Sequence, residues 1–310
     1  MTLPPPVLKP AFNITRASHA VLRVRDLAHS RAFYVETLGM LVSNEDPDTL
    51  YLRGVEEAAH HSLVLKRSVQ TGCERLGFRV FTEEDLDLLS AHFVERGLPL
   101  SWVEAPFQSR TLHVTDEIGV PLEFCASMKV MERAINRFDQ HTGACPLRLD
   151  HMQVLTPAVE RACAIYGKMG FRTSEYIADE GTDALRAVFM QRKGNPHDIV
   201  FMRNDGPRLH HVAFTCPEAH HLLHLCDLLA AAGFGRSVEW GPGRHFGPGY
   251  ARFVYLRDPD GHRVEFFNNH YQTIDIEDEP LRWVPPSKGE ASRWGRLSPP
   301  SWREEATAFV

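Results

Sequence analysis

The chain has 310 residues, 43 % of them hydrophobic, which suffices for one large domain or two of about 150 residues. Its 34 Lys and Arg against 40 Asp and Glu leave a net charge of −6, so no nucleic-acid partner is expected. No run nears the roughly 18 apolar residues of a membrane-spanning helix, MTLPPPVLKP lacks the apolar stretch of a secretory leader, and the six cysteines form no Cys-x-x-Cys pair, so a cytoplasmic protein with reduced thiols and no membrane partner is expected.

From residue 17, ASHAVLRVRDLAHSRAFYVETLGM alternates apolar and polar positions around His19, breaks at a polar turn and continues as a helix closed by Gly39. HSLVLKR (61–67) is a strand opened by His61. RLGFRVFTEEDLDLLSAHFVERGL (75–98) gives a strand, a capped turn, an amphipathic helix and a closing glycine, and TLHVTDEIGVPLEFC (111–125) gives a hairpin. A linker at 131–146 follows. The series then starts again, with LDHMQVLTPAVERACAIYGKMGF (149–171), HDIVFMR (197–203), RLHHVAFTCPEAHHLLHLCDLLAAAGF (208–234) and FVYLRDPDGHRVEFF (253–267). Both hairpins carry Asp-x-x-Gly-x-x-x-Glu. Two copies of one domain are expected, 12–130 and 147–270, followed by a Pro- and Trp-rich tail, 271–310, as a strap or lid. The rhythm predicts an α+β fold whose mixed sheets curl around a concave inner face.

One copy serves as a control for the other. The second carries His151 in its first strand, His211 in the first strand of its next module and Glu265 in its closing strand; the matching residues of the first copy are His19, Phe78 and Glu123. The first interval is 60 residues (151 to 211) against 59 (19 to 78), the second 54 against 45. Phenylalanine ligates no metal, so only the second copy can present two imidazoles and a carboxylate. That set, with coordination positions left open, suits Fe(II) or Mn(II) in oxygen chemistry. Strand alternation turns His211 inward and His210 away. His220, His221 and His224 fall on the helix after Pro217 and are expected to be solvated or half-buried.

These residues sit in motifs, LDHMQVLTP, KGNPHDIVF, GPRLHHVAF, GPGRH and DPDGHRVEFF, by which the chain resembles the type I extradiol catechol dioxygenases of the vicinal oxygen chelate superfamily. The resemblance spans residues 15 to about 302, and HYQTIDIEDEPLRW brings it nearest to the members that cleave 3,4-dihydroxyphenylacetate. It implies two tandem domains of two βαβββ modules each, the first of them metal-free, and a homo-oligomer, often a tetramer. His151, His211 and Glu265 would ligate Fe(II) or Mn(II), and His197 would act as acid–base catalyst. His245 and Tyr255 would hydrogen-bond the substrate and the oxygenated intermediate. The reaction implied is insertion of both atoms of O2 into a small aromatic diol next to the hydroxyls. Elementary chemistry agrees on His197, because a catechol that binds a metal must lose a proton and a neutral histidine can take it.

Four pocket positions depart from the relatives. Gln153 replaces an asparagine and Phe189 a tryptophan; Trp240 and Ala291 stand where arginines hold a substrate carboxylate. An acidic substrate would then need Arg244, Arg282 or Arg293 as its partner, whereas an uncharged alkyl- or aryl-catechol would not. A glyoxalase-like isomerase and a metal-free binding protein are the alternatives on the same fold. Hydroxyphenylpyruvate dioxygenases share the ligand set but end in a long helix, which the Pro-rich tail is not.

Overall fold

Four times along the chain a strand feeds a helix and then three more strands. A computed structural model shows this over the residues it describes, 3–285 and 291–310. The leading strands are Ile14–Val24, Gly72–Val80, Leu149–Thr156 and Arg208–Thr215. The helices after them are Leu27–Arg31, which runs on as Ala32–Thr37, then Glu83–Glu95, Val159–Lys168 and Ala219–Ala231. The first starts where Asp26 accepts from the backbone N–H of Ala28 and His29, the second at a capping box between Thr82 and Asp85. All four helical segments are followed by a glycine at positive φ: Gly39, Gly97, Gly170 and Gly233. At Gly39 a Cβ would lie 2.0 Å from the Thr142 carbonyl oxygen, so the linker's close approach there also demands glycine.

The strands form two mixed sheets, one of eight and one of eleven. In the first, Ile14–Val24 lies parallel to Leu63–Arg67 and antiparallel to Gly72–Val80, which lies parallel to Pro121–Cys125. In the second, Leu149–Thr156, Ile199–Arg203, Arg208–Thr215 and Arg263–Asn268 repeat that wiring. The expected α+β architecture of four βαβββ modules is therefore the one present. Helices cover one face of each sheet, and the main core lies between them. On the inner face of the second sheet a smaller cluster gathers Trp240, Phe253, Tyr255, Phe267 and Trp302.

The register corrects one equivalence. Gly77 pairs with both His19 and Glu123, as Ala213 pairs with both His151 and Glu265. Two residues before them stand Arg75 and His211. The residue matching His211 is thus Arg75, not Phe78, and an arginine ligates no more than a phenylalanine does. Phe78 packs on Phe124 in the helix-side core, as Phe214 packs on Phe266. Arg-Leu at 75–76 and at 208–209 look alike in sequence but lie three places apart in the pairing, and an odd offset exchanges the faces of a strand.

The tail straps the second sheet at both edges. Leu281–Trp283 pairs with Arg172–Ala178, and Ser292–Trp294 pairs with Val238–His245. Residues 286–290 of the expected tail lie outside the described residues. A short helix, Pro300–Glu304, leads to Thr307–Ala308, which pairs with Arg208 and Leu209. Val310 N–H then reaches the Cys73 carbonyl of the first sheet.

Candidate metal centre and the cavity beside it

His151, His211 and Glu265 stand on three adjacent strands of the second sheet, all buried. His211 Nε2 lies 3.2 Å and His151 Nε2 3.4 Å from Glu265 Oε2, and the two nitrogens are 3.3 Å apart. Behind His151, the Asp150 carboxylate accepts from Nδ1 at 3.1 Å, which leaves Nε2 bare and pointing inward. Burial by itself would raise the Glu265 carboxyl; His151, His211 and His245 overturn that and hold it well below the usual carboxylate range. Burial pushes His211 down to about 4, so it is neutral at pH 7, as a ligand must be.

A cavity of about 830 Å³ opens beside this trio. His197, His245, Tyr255 and His270 line its near side. His245 Nε2 lies 3.2 Å from Glu265 Oε1, and Tyr255 Oη lies 3.4 Å from that nitrogen. The His197 ring sits 4.2 Å from that of His151, and its buried Nδ1 has no hydrogen-bond partner among the described residues. Burial, then the neighbouring His151 and His270, keep His197 well below the usual imidazole range. Ile177, Phe189, Val200, Phe246 and Trp302 make the far wall apolar. Glu175, fully buried, accepts from Gly249 N–H at 2.8 Å and from Trp283 Nε1 at 2.6 Å, tying the loop after His245 to the tail.

The model of the Glyoxalase/Bleomycin resistance protein/Dioxygenase superfamily matches residues 16–124 and 148–266. Metapyrocatechase of Geobacillus stearothermophilus is 26 % identical over 314 residues, covering 95 % of this chain and 94 % of that protein. The manganese-dependent 2,3-dihydroxybiphenyl 1,2-dioxygenase of Geobacillus genomosp. 3 is 26 % identical over 298 residues, 91 % of this chain and 93 % of that one. Among solved structures, homoprotocatechuate 2,3-dioxygenase of Arthrobacter globiformis superposes with a TM-score of 0.93 at 35 % identity, over 99 % of this chain and 96 % of the other. The Brevibacterium fuscum enzyme in complex with 3,4-dihydroxyphenylacetate does so with 0.93 at 37 % identity, over 100 % and 97 %.

The chain belongs to this superfamily, among its extradiol dioxygenases.

The cofactor of this dioxygenase is Fe(II) or Mn(II), and the trio fits either. Ligand atoms about 2.1 Å from one ion and at right angles to each other stand about 3 Å apart, close to the separations seen. Three lone-pair donors facing one another repel unless a cation lies between them. No other His, Cys, Asp or Glu cluster among the described residues draws together so tightly. In the first half, Glu123 is already engaged by His19 and His113, both at 2.8 Å, and by Gln108 at 2.6 Å.

The dioxygenase places the expected pocket residues unevenly. Gln153 and Phe189 line the cavity; Trp240, Arg244 and Arg293 do not. Trp240 is buried behind Tyr255 and stacks on it at 5.5 Å, Arg244 lies over the Tyr250 ring at 3.8 Å, and Arg293 donates to the Phe246 carbonyl at 2.7 Å. Arg282 pairs with Asp183 at 2.6 Å and is also off the wall. Of the arginines that do line it, Arg186 and Arg203 are paired with Asp179 and Glu160, while the guanidinium of Arg303 hydrogen-bonds only Ser298 among the described residues. His210 does not turn away: a β-bulge between Leu209 and His211 swings it onto the His211 ring. His220 and His224 are exposed on their helix and His221 is half-buried. Sequence reasoning missed His210, His270 and Arg303; the His-His doublet was the one signal available for the first.

Proposed function

We propose that the chain cleaves the ring of 3,4-dihydroxyphenylacetate next to its diol, adding both atoms of O2 and releasing a muconic semialdehyde. Residues 147–270 form the catalytic domain in this proposal, 12–130 the metal-free one and 271–310 the lid. The observation that carries it is the His151–His211–Glu265 trio opening onto a cavity with an apolar far wall. These three residues would hold the ion, which supplies Lewis acidity toward the diol and redox access to O2.

The chain's own groups do the rest. His197 takes the diol proton, because its ring lines the cavity beside that of His151. His245 and Tyr255 hold the substrate oxygens from the side of Glu265 Oε1. Phe189 flanks the substrate ring beside His197, and Gln153 borders the first ligand's strand. Arg303 meets the side-chain carboxylate, with Arg244 and Arg293 bracing the loop around His245 and Trp240 fixing the Tyr255 ring.

A second substrate class, uncharged alkyl- or aryl-catechols, is favoured by the apolar wall and by the ion pairs that already occupy Arg186 and Arg203. We also propose a cytoplasmic homo-oligomer, a tetramer, in keeping with six unpaired cysteines and testable by sedimentation. The deciding experiment is oxygen uptake, with absorbance of yellow product, by Fe(II)- or Mn(II)-loaded protein on catechol, 3- and 4-methylcatechol, 3,4-dihydroxyphenylacetate and 2,3-dihydroxybiphenyl. Absence of turnover on all five would falsify the proposal, and the ranking among them decides the substrate.

A further inference from the structure

The two imidazoles of the candidate metal centre are buttressed differently. His151 leans on the Asp150 carboxylate, its neighbour in the same strand. Among the described residues, His211 has no carboxylate behind it. Its Nδ1 lies 2.6 Å from Nδ1 of His210, and Nε2 of His210 lies 2.7 Å from the carbonyl oxygen of Trp302 in the tail.

The partners assign the protons. A carbonyl oxygen only accepts, so His210 carries its proton on Nε2. Its Nδ1 is then bare and accepts the Nδ1–H of His211. That leaves the Nε2 of His211 without a proton, facing Glu265 Oε2 and His151 Nε2. In water a neutral imidazole carries its proton mostly on Nε2, so this tautomer must be imposed, and the tail carbonyl imposes it from two rings away.

The tail is built to stay in that place. Arg263, fully buried and two residues before Glu265, donates from Nη1 to the carbonyls of His210 and Glu305 and from Nη2 to that of Ser301, each at 3.0 Å. Its Nε is held by Glu239 at 2.6 Å. In the first half, Arg75 matches His211 and the residue before it is Glu74, which instead pairs with Arg23 and Lys66 at 2.7 and 2.8 Å. The half with no ligand at this position has no relay behind it.

Resting on His151, His211 and Glu265 as the metal ligands, we propose that His210 is a positioning residue for metal capture. It transmits the place of the Trp302 carbonyl to His211 and keeps the ligating nitrogen bare. The C-terminal tail is thereby part of the metal site as well as a wall of the cavity.

The test is Mn(II) binding to the metal-stripped full-length chain, by calorimetry, together with nitrogen-15 NMR of the imidazoles before metal is added. His210→Asn keeps an acceptor where Nδ1 stands. His210→Gln keeps a donor toward Trp302 but offers His211 no acceptor. The Asn variant, which keeps the acceptor for His211 but gives up the bond to Trp302, should lose less Mn(II) affinity than the Gln variant, which should bind about 10- to 100-fold more weakly than the parent. In the Gln variant the His211 proton should move from Nδ1 to Nε2. A Gln variant that binds as tightly as the parent overturns the proposal, and so does an equal loss in both variants, which would make His210 a packing residue. A parent chain that takes up neither Mn(II) nor Fe(II) would instead defeat the ligand assignment beneath it.

Discussion

The Tyr34 hydroxyl donates a 2.9 Å hydrogen bond to Asp258, across the boundary between the two sheets. The reverse contact, Tyr166 to Asp116 at 3.0 Å, joins the same elements with the halves exchanged. Each aspartate opens the Asp-x-x-Gly turn of a closing hairpin and uses its other oxygen on two backbone N–H groups, of Ile118 and Val120 for Asp116 and of Asp260 and His262 for Asp258. Each tyrosine lies in the first helical segment of the opposite half. A motif that marks the repeat in the sequence is thus the clasp that holds the repeats together.

The clasp makes stability depend on pH. Burial raises the Asp116 carboxyl from 3.8 to about 6. A carboxyl raised in the folded state binds its proton more tightly there than in the unfolded chain. Its contribution is therefore fully present below pH 3.8 and declines as pH rises to about 6, beyond which it stays low. The interval corresponds to about 3 kcal/mol at about 1.4 kcal/mol per pH unit. Asp116→Asn removes the titration while keeping an acceptor for the turn. Measured by urea unfolding, the variant should gain on the parent between pH 4 and 6, and a difference that stays flat with pH would sink the expectation.

Glu265 carries the only negative charge of the trio. Glu265→Gln leaves two neutral imidazoles and an amide, and Mn(II) or Fe(II) affinity should drop by more than the roughly 10- to 100-fold typical of lost supporting groups around a metal. Turnover should vanish with the ion, while the unfolding midpoint of the metal-free protein stays near that of the parent. Metal analysis after dialysis decides it: a variant that keeps one ion per chain shows that Glu265 is not a ligand.

Much of this was legible in the sequence, because period-2 and period-3.6 patterns and closing glycines recur four times. The convergence of His151, His211 and Glu265 was legible as well, because each stands in a strand that the sequence repeats. The Phe78 equivalence failed because register is set by pairing with neighbouring strands, and the Arg-Leu resemblance ran against it. His210 was misjudged because simple alternation takes no account of a bulge. The arginines on the cavity wall were illegible: Arg186, Arg203 and Arg303 come from different segments, and only the path of the tail brings Arg303 alongside the others.

His197→Asn separates proton transfer from metal binding. His197 lies beside His151 but is not one of the three residues whose donor atoms converge. General acid–base catalysis contributes about 10²- to 10⁴-fold, so kcat should drop within that range while metal content is unchanged. Loss of the ion from the variant would instead make His197 a ligand or a structural support.

Arg303 decides between the two substrate classes. A hydrogen bond to a charged group contributes about 1.5–3 kcal/mol, or about 10- to 100-fold. If the substrate carries a carboxylate that meets this side chain, Arg303→Gln should lower kcat/KM on 3,4-dihydroxyphenylacetate by that factor. The value on 4-methylcatechol, which has nothing to offer a guanidinium, should stay within about twofold, because exposed substitutions away from the chemistry rarely exceed about 0.5 kcal/mol. The ratio of the two constants is the quantity to follow, since it cancels any change in folding or metal content. An unchanged ratio would mean that the carboxylate lies elsewhere or that the natural catechol has none, and the apolar wall of Ile177, Phe189, Val200 and Phe246 would then be the feature that selects it.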